Sequence, residues 1–370
     1  MKIALLGLQE FKSEESLDTN FKHLQELIRR LADRGHEITL FGEAHEQHLF
    51  HHPRIEYIVV PSTLNTVRLS IFYARHIRSV DVIHVLSLRH AWVLPLLATF
   101  FKNTPRVVDI RQFSFLKSAE GKARAQSLVT MVKNHADQII VPFASVKRYI
   151  FANQGRFTHD VHDGIDFEAV RTPKRTTLPR GFQKRDYIVM DTESGKNTQL
   201  MIQALAKETN RLPVICLMQN PSPELEELVA STPNFFPLIA TRESETDALI
   251  AHAKLYIHTE KNPEYIRMVK KALIFGTPLV APETLTLREL FGREYLAYTS
   301  GNLSSILNSV YFALQEQAIM VRMANRALIK AQEELTLDGN VNRMIYIWAN
   351  AYRAKELQNS NQSVDVLSRV

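Results

Sequence analysis

Short apolar runs alternate with stretches of helical periodicity along almost the whole chain, and that alternation most constrains its fold. Residues 2–8 (KIALLGL) read as a buried strand. Leu17, Phe21, Leu24, Ile28 and Leu31 then recur at three- and four-residue spacing, as one face of a helix does. Gly35 suits the position that closes such a helix, and a second strand starts at residues 36–40. Further short runs stand at 55–60, 82–86, 106–110 and 138–141, mostly with helical patterns between them. Strands that alternate with helices predict a parallel sheet covered on both faces.

Residues 171–185 (RTPKRTTLPRGFQKR) break the pattern with two prolines, a glycine and six basic residues, the composition of a linker. The alternation then restarts. Strands are expected at 187–190, 214–218, 254–258 and 278–281. Helices are expected at 196–207, 223–230, 243–253, 264–275, 303–314, 318–335 and 340–357. The organisation read from this is a first α/β domain at 1–170, a linker at 171–185 and a second α/β domain at 186–335. A final helix at 336–357 and a frayed polar tail at 358–370 complete it. Two such domains usually hold a ligand at the C-terminal ends of their strands.

Composition excludes several classes. The chain is 370 residues long, 45% hydrophobic and 23% charged, which argues against disorder. Its single cysteine, Cys216, rules out an intramolecular disulfide and a cysteine-rich zinc site. The longest apolar run, residues 91–101, is broken by Pro95 and falls short of the roughly 20 residues that a membrane span needs. Residues 1–7 lack the features of a signal peptide. The expectation is a cytoplasmic protein. The net charge is +6, and residues 101–190 alone carry +8. That window reads as a solvated surface and linker, or as a face for an anionic membrane or a phosphate-bearing ligand. Nucleic acid is not expected, since no helix-turn-helix, zinc-finger or RNP-type signature accompanies the charge.

Several motifs fail on inspection. Gly195-Lys196 lacks the upstream glycine of a P-loop, and Asn197 stands where Ser or Thr belongs. Gly7 has no GxGxxG around it, which argues against a nicotinamide site. His45, His48, His51 and His52 cluster without a carboxylate or cysteine framework and read as a solvated loop. No GxSxG elbow is present, and Cys216 sits in an expected core strand.

Residues 251–260 (AHAKLYIHTE) and 270–280 (KKALIFGTPLV) resemble the donor-binding region of family 4 glycosyltransferases. Segments at 34–40, 81–85, 106–111, 136–141, 163–166 and 195–204 resemble other parts of that family in the same order. The resemblance covers residues 1 to about 350. It implies the GT-B fold: two Rossmann-like domains, the nucleotide-sugar on the second, and a C-terminal helix crossing back to the first. It implies sugar transfer from a nucleotide-sugar to a glycan, lipid-linked or protein acceptor, without a metal or other cofactor. Surface-polysaccharide or glycoprotein synthesis is the typical setting. A basic first domain in this family implies peripheral attachment to an anionic inner membrane face.

The resemblance also marks departures. The first loop, residues 9–16 (QEFKSEES), has no glycine pair and carries acids. The family's arginine falls on Asp191, and its lysine is matched by Lys196. The second of its two glutamates falls on Lys271 and the first on Pro263, beside Glu264. Arg267 and Lys271, four apart on one helix face, are candidates for the lost phosphate contacts; an ordinary solvated face is the bland reading. Lys196 is a third cation, or simply a surface lysine. Thr259, Glu260 and Glu264 are candidate donor contacts, or a helix N-terminal acidic pair. His84, Arg111, Asp163 and Gly164 are candidates for the cleft; for His84 a core position and for Asp163-Gly164 a plain turn compete. No general base stands out. Two expectations follow: a transferase with a rebuilt donor site, or a non-catalytic pseudo-glycosyltransferase that binds a partner enzyme or substrate.

Overall fold

The apolar runs form two separate parallel sheets. The structure, a computed structural model, describes residues 1–8, 17–110, 119–151, 158–167, 182–192, 195–208, 212–218, 221–239, 243–261 and 266–367. Contacts divide the chain into two units: Met1–Gly164 with Leu337–Val370, and Ile165–Thr336 between them.

In the first unit the elements are β1 (Lys2–Leu6), α1 (Leu17–Asp33), β2 (Glu37–Gly42), β3 (Ile55–Val59), α2 (Thr66–His76), β4 (Val82–Val85) and α3 (Leu94–Phe100). They continue as β5 (Arg106–Asp109), α4 (Ala119–His135), β6 (Gln138–Val141), α5 (Ala144–Phe151) and β7 (Thr158–Asp160). The strand order is β3-β2-β1-β4-β5-β6-β7. Every pair is parallel; Ile3, for example, sits opposite Ile38 on one side and Val82 on the other. All four residues of β4 are buried, the near-continuous apolar pattern of a strand covered on both faces.

The second unit repeats the plan. It contains β8 (Ile188–Thr192), α6 (Lys196–Glu208), β9 (Val214–Met218), α7 (Pro223–Ser231), β10 (Phe235–Ile239), α8 (Glu243–His252) and β11 (Leu255–Ile257). Then follow α9 (Arg267–Phe275), β12 (Leu279–Pro282), α10 (Leu285–Phe291), β13 (Leu296–Tyr298), α11 (Leu303–Gln315) and α12 (Gln317–Glu334). The order is β10-β9-β8-β11-β12-β13, again parallel. In both sheets the order reverses beside the first strand, between β1 and β4 and between β8 and β11. Such a switch point leaves a crevice at the C-terminal strand ends.

The last helix, α13 (Leu337–Leu367), belongs to the first unit. Leu337, Val341, Met344, Trp348 and Ala351 recur at four- and three-residue spacing and are buried in that unit's core. Asn340 Nδ2 donates to the carbonyl of His162 at 2.9 Å, fixing the start of the helix. The tail differs from expectation: the helix runs to Leu367, because no glycine or proline after Gly339 interrupts it. Strands β7, β10 and β13 were not expected from the pattern. β10 contains Pro237 and exposes Phe236 and Ile239, as an edge strand tolerates and a central strand does not. Most of the expected linker lies outside the described residues. No helix among the described residues is long and apolar enough to cross a membrane.

Candidate functional site

Asp191 lies one residue before the end of β8, at the switch point of the second sheet. Its Oδ2 accepts the Tyr256 hydroxyl at 2.7 Å and the Nδ1–H of His258, and its Oδ1 accepts the backbone N–H of Thr259 at 3.0 Å. A carboxylate offers only acceptors, so Nδ1 is the protonated nitrogen of His258. Thr259 Oγ1 also donates to the Asp191 carbonyl at 3.0 Å. The alternation of β11 explains the grouping. Leu255 and Ile257 enter the core on one face, and Tyr256 and His258 turn to the other. Burial, and then the negative charge of Asp191, push the Tyr256 hydroxyl well above its ordinary pKa. Tyr298 is raised for the same reasons, burial first, and its hydroxyl donates to the His258 carbonyl at 3.0 Å.

Beside this network lies a hollow of roughly 300 Å³. Three segments line it: residues 195–198 at the start of α6, the loop residues 259–261 after β11, and 300–301 after β13. Asn197 joins all three. Its Oδ1 accepts Ser300 Oγ at 2.8 Å and Gly301 N–H at 2.9 Å, and its Nδ2 donates to the Thr259 carbonyl at 3.2 Å. Beneath it, the hydroxyls of Thr198 and Thr259 lie 3.0 Å apart. The N-terminus of α6 opens on the hollow, together with the ammonium-bearing Lys196 and Lys261. The N–H groups at a helix start and adjacent cations favour an anion.

Three sequence-derived candidates, Lys196, Thr259 and Glu260, therefore share one site. Lys271 does not belong to it. Its ammonium is buried and paired with Asp247, across the packing of α8 on α9. Helix periodicity placed it on a face but did not reveal that α8 covers that face. Arg267 opens α9, with its side chain outside the described residues; Glu264, Arg111 and the first loop also lie outside them. His84 is fully buried in β4, its Nε2 4.0 Å from Asp109 Oδ2 and its ring edge-on to Trp348 at 5.6 Å. That is a core position, without the access a ligand contact needs. Asp163 and Gly164 close the first unit's first stretch, and Gly164 is buried.

Sequence reasoning missed Asn197 as a clip, Lys261 as a lining cation, and Ser300-Gly301. Lys261 directly follows the family-like segment and was open to notice. Ser300-Gly301 becomes informative only once residues 296–298 are known to be a strand.

The first unit's switch point is built differently. Gly7 follows β1 at φ +90°, a backbone region that favours glycine, and a Cβ there would lie 3.1 Å from the Cβ and Cγ of His90. His90 Nε2 is 2.9 Å from the Tyr73 hydroxyl. Burial lowers the His90 pKa to about 4, so the ring is neutral.

Comparison with known proteins now adds to this geometry. Residues 21–169 match the family model described as Glycosyltransferase Family 4. No curated protein matches the sequence. Among solved structures, sucrose-phosphate synthase from Thermosynechococcus elongatus superimposes with a TM-score of 0.72 at 14% identity, over 95% of this chain and 99% of that one. Anabaena HepE in complex with UDP gives 0.71 at 17% identity, over 95% and 100%. The lipopolysaccharide outer core galactosyltransferase WaaB in apo form gives 0.67 at 12% identity, over 96% and 100%. The chain has the GT-B fold, as the resemblance implied.

Proposed function

We propose that this protein transfers a sugar from a nucleotide-sugar to a glycan, lipid-linked or protein acceptor, with the donor's diphosphate in the hollow of the second unit. The observation that carries this reading is the convergence of the α6 N-terminus, Lys196 and Lys261 at the switch point of that sheet. A departing nucleoside diphosphate gathers charge on its terminal phosphate in the transition state. Fixed donors and cations aimed at that oxygen lower the barrier without reorganising. The reading assigns that charge to groups of the chain and calls for no metal ion. The solved complexes of HepE with UDP and with UDP-glucose support a nucleotide-sugar as the class of donor.

The binding-subunit reading drew on the missing loop glycines, the arginine replaced by Asp191 and the loss of both aligned glutamates. Of these positions, Asp191 is engaged by the donors of Tyr256, His258 and Thr259, which favours the transferase. Calorimetric titration with UDP, GDP and their sugar conjugates tests the proposal. Binding of one nucleotide that is weakened in Lys196→Ala supports it; no binding by the native protein at millimolar concentration overturns it.

For the acceptor side, an anionic membrane fits one surface of the first unit. Arg68, Ile71 and Arg75 stand exposed at three- and four-residue spacing on α2, and exposed Phe100 ends α3, which packs on α2. Sedimentation with anionic vesicles at low salt should carry the protein down, and its absence from the pellet would remove the membrane from this reading.

A further inference from the structure

We propose that Lys261 is the second phosphate-binding cation of this site and is held at its wall through Asp191. The inference rests on the reading of the hollow as a diphosphate site. A single ammonium is a thin complement for a diphosphate. Arg267 and Lys271 were the sequence's candidates for a second. Lys271 is paired with Asp247, and among the described residues the cations lining the hollow are Lys196 and Lys261.

The position of Lys261 follows from Asp191 itself. The carboxylate holds the Thr259 N–H and the Asp191 carbonyl holds the Thr259 hydroxyl, each at 3.0 Å. Asn197 holds the Thr259 carbonyl from the other side. The chain therefore leaves Thr259 from a fixed point, and Lys261 follows two residues later at the wall of the hollow. The intervening Glu260 accepts the N–H of Lys261 at 2.7 Å. Asp191 thus acts as a positioning residue for the loop after β11 that carries Lys261.

The test titrates inorganic pyrophosphate and UDP into the native protein, Lys196→Ala, Lys261→Ala and Lys261→Arg at two salt concentrations, with thermal melts of each. Lys261 is exposed, so its variants are expected to melt with the native protein. Lys261→Ala should weaken both ligands roughly tenfold and flatten the salt dependence, as loss of one charge-assisted contact does. Lys261→Arg should restore binding. Native-like binding in Lys261→Ala, alongside weakening in Lys196→Ala, would overturn the inference and leave the diphosphate reading standing. A native protein that binds neither ligand would overturn both.

Discussion

The carboxylate of Asp191 accepts the backbone N–H of Thr259 at 3.0 Å across the switch point between β8 and β11. One side chain thereby ties the ends of two strands that are 68 residues apart in sequence. Asp191→Ala would leave the Tyr256 hydroxyl, the His258 Nδ1–H and the Thr259 N–H without their acceptor. It should cost the second unit roughly 3 kcal/mol, since unsatisfied buried donors cost about 1–3 kcal/mol each and some will rehydrate. Denaturant unfolding measures this; a loss under about 1 kcal/mol would show that the network is dispensable.

Asn197 ties the start of α6 to two loops with one carboxamide. Asn197→Ala should free the 300–301 turn, speed amide exchange at Gly301 and weaken nucleotide binding. Exchange at Gly301 that matched the native protein would contradict the clip.

Lys271 is expected to matter for stability and not for the donor. Lys271→Met should destabilise by about 1–3 kcal/mol, because it removes the ammonium that pairs with Asp247 in a partly buried site. Asp247→Leu in the same chain should recover part of the loss. Nucleotide affinity should stay at the native level throughout. A tenfold weaker affinity with an unchanged melt would return Lys271 to the donor site.

Gly7 and His90 make a separate prediction for the first unit. Gly7→Ala sets a Cβ 3.1 Å from the His90 ring at φ +90°, a combination of strain and crowding. A cost of about 1–3 kcal/mol is expected, visible as a lower melting temperature.

His90 also predicts a pH dependence. Its folded pKa of about 4 lies below the ordinary 6.5. Between those values the unfolded chain takes up a proton that the folded chain refuses, so stability rises with pH across that window. The contribution is complete near pH 7 and is lost as pH falls through 6.5 toward 4. Its ceiling is roughly 3 kcal/mol. His90→Gln removes the titration, so the stability difference between the two proteins should shrink as pH falls. Parallel stability curves from pH 7 to 4.5 would refute the assignment.

The sequence alone determined the architecture, because strand and helix periodicities are local properties of the chain. Residues 214–218 were expected as a strand and are β9, and the start of α6 at Lys196 was marked by the family-like segment. The edge strand β10 was hidden by Pro237, and β13 is a three-residue edge strand that is only partly buried. The candidate site was half legible: Lys196, Thr259 and Glu260 lie in or beside recognisable segments. What tertiary structure decided was the use of each charge. Asp191 reads as a reversed charge in the sequence, yet Tyr256, His258 and Thr259 surround it only when β8 and β11 pair. Lys271 reads as a phosphate ligand until α8 brings Asp247 to it. A charge's role depends on which partners reach it through space, and those partners come from strands and helices far away in the chain.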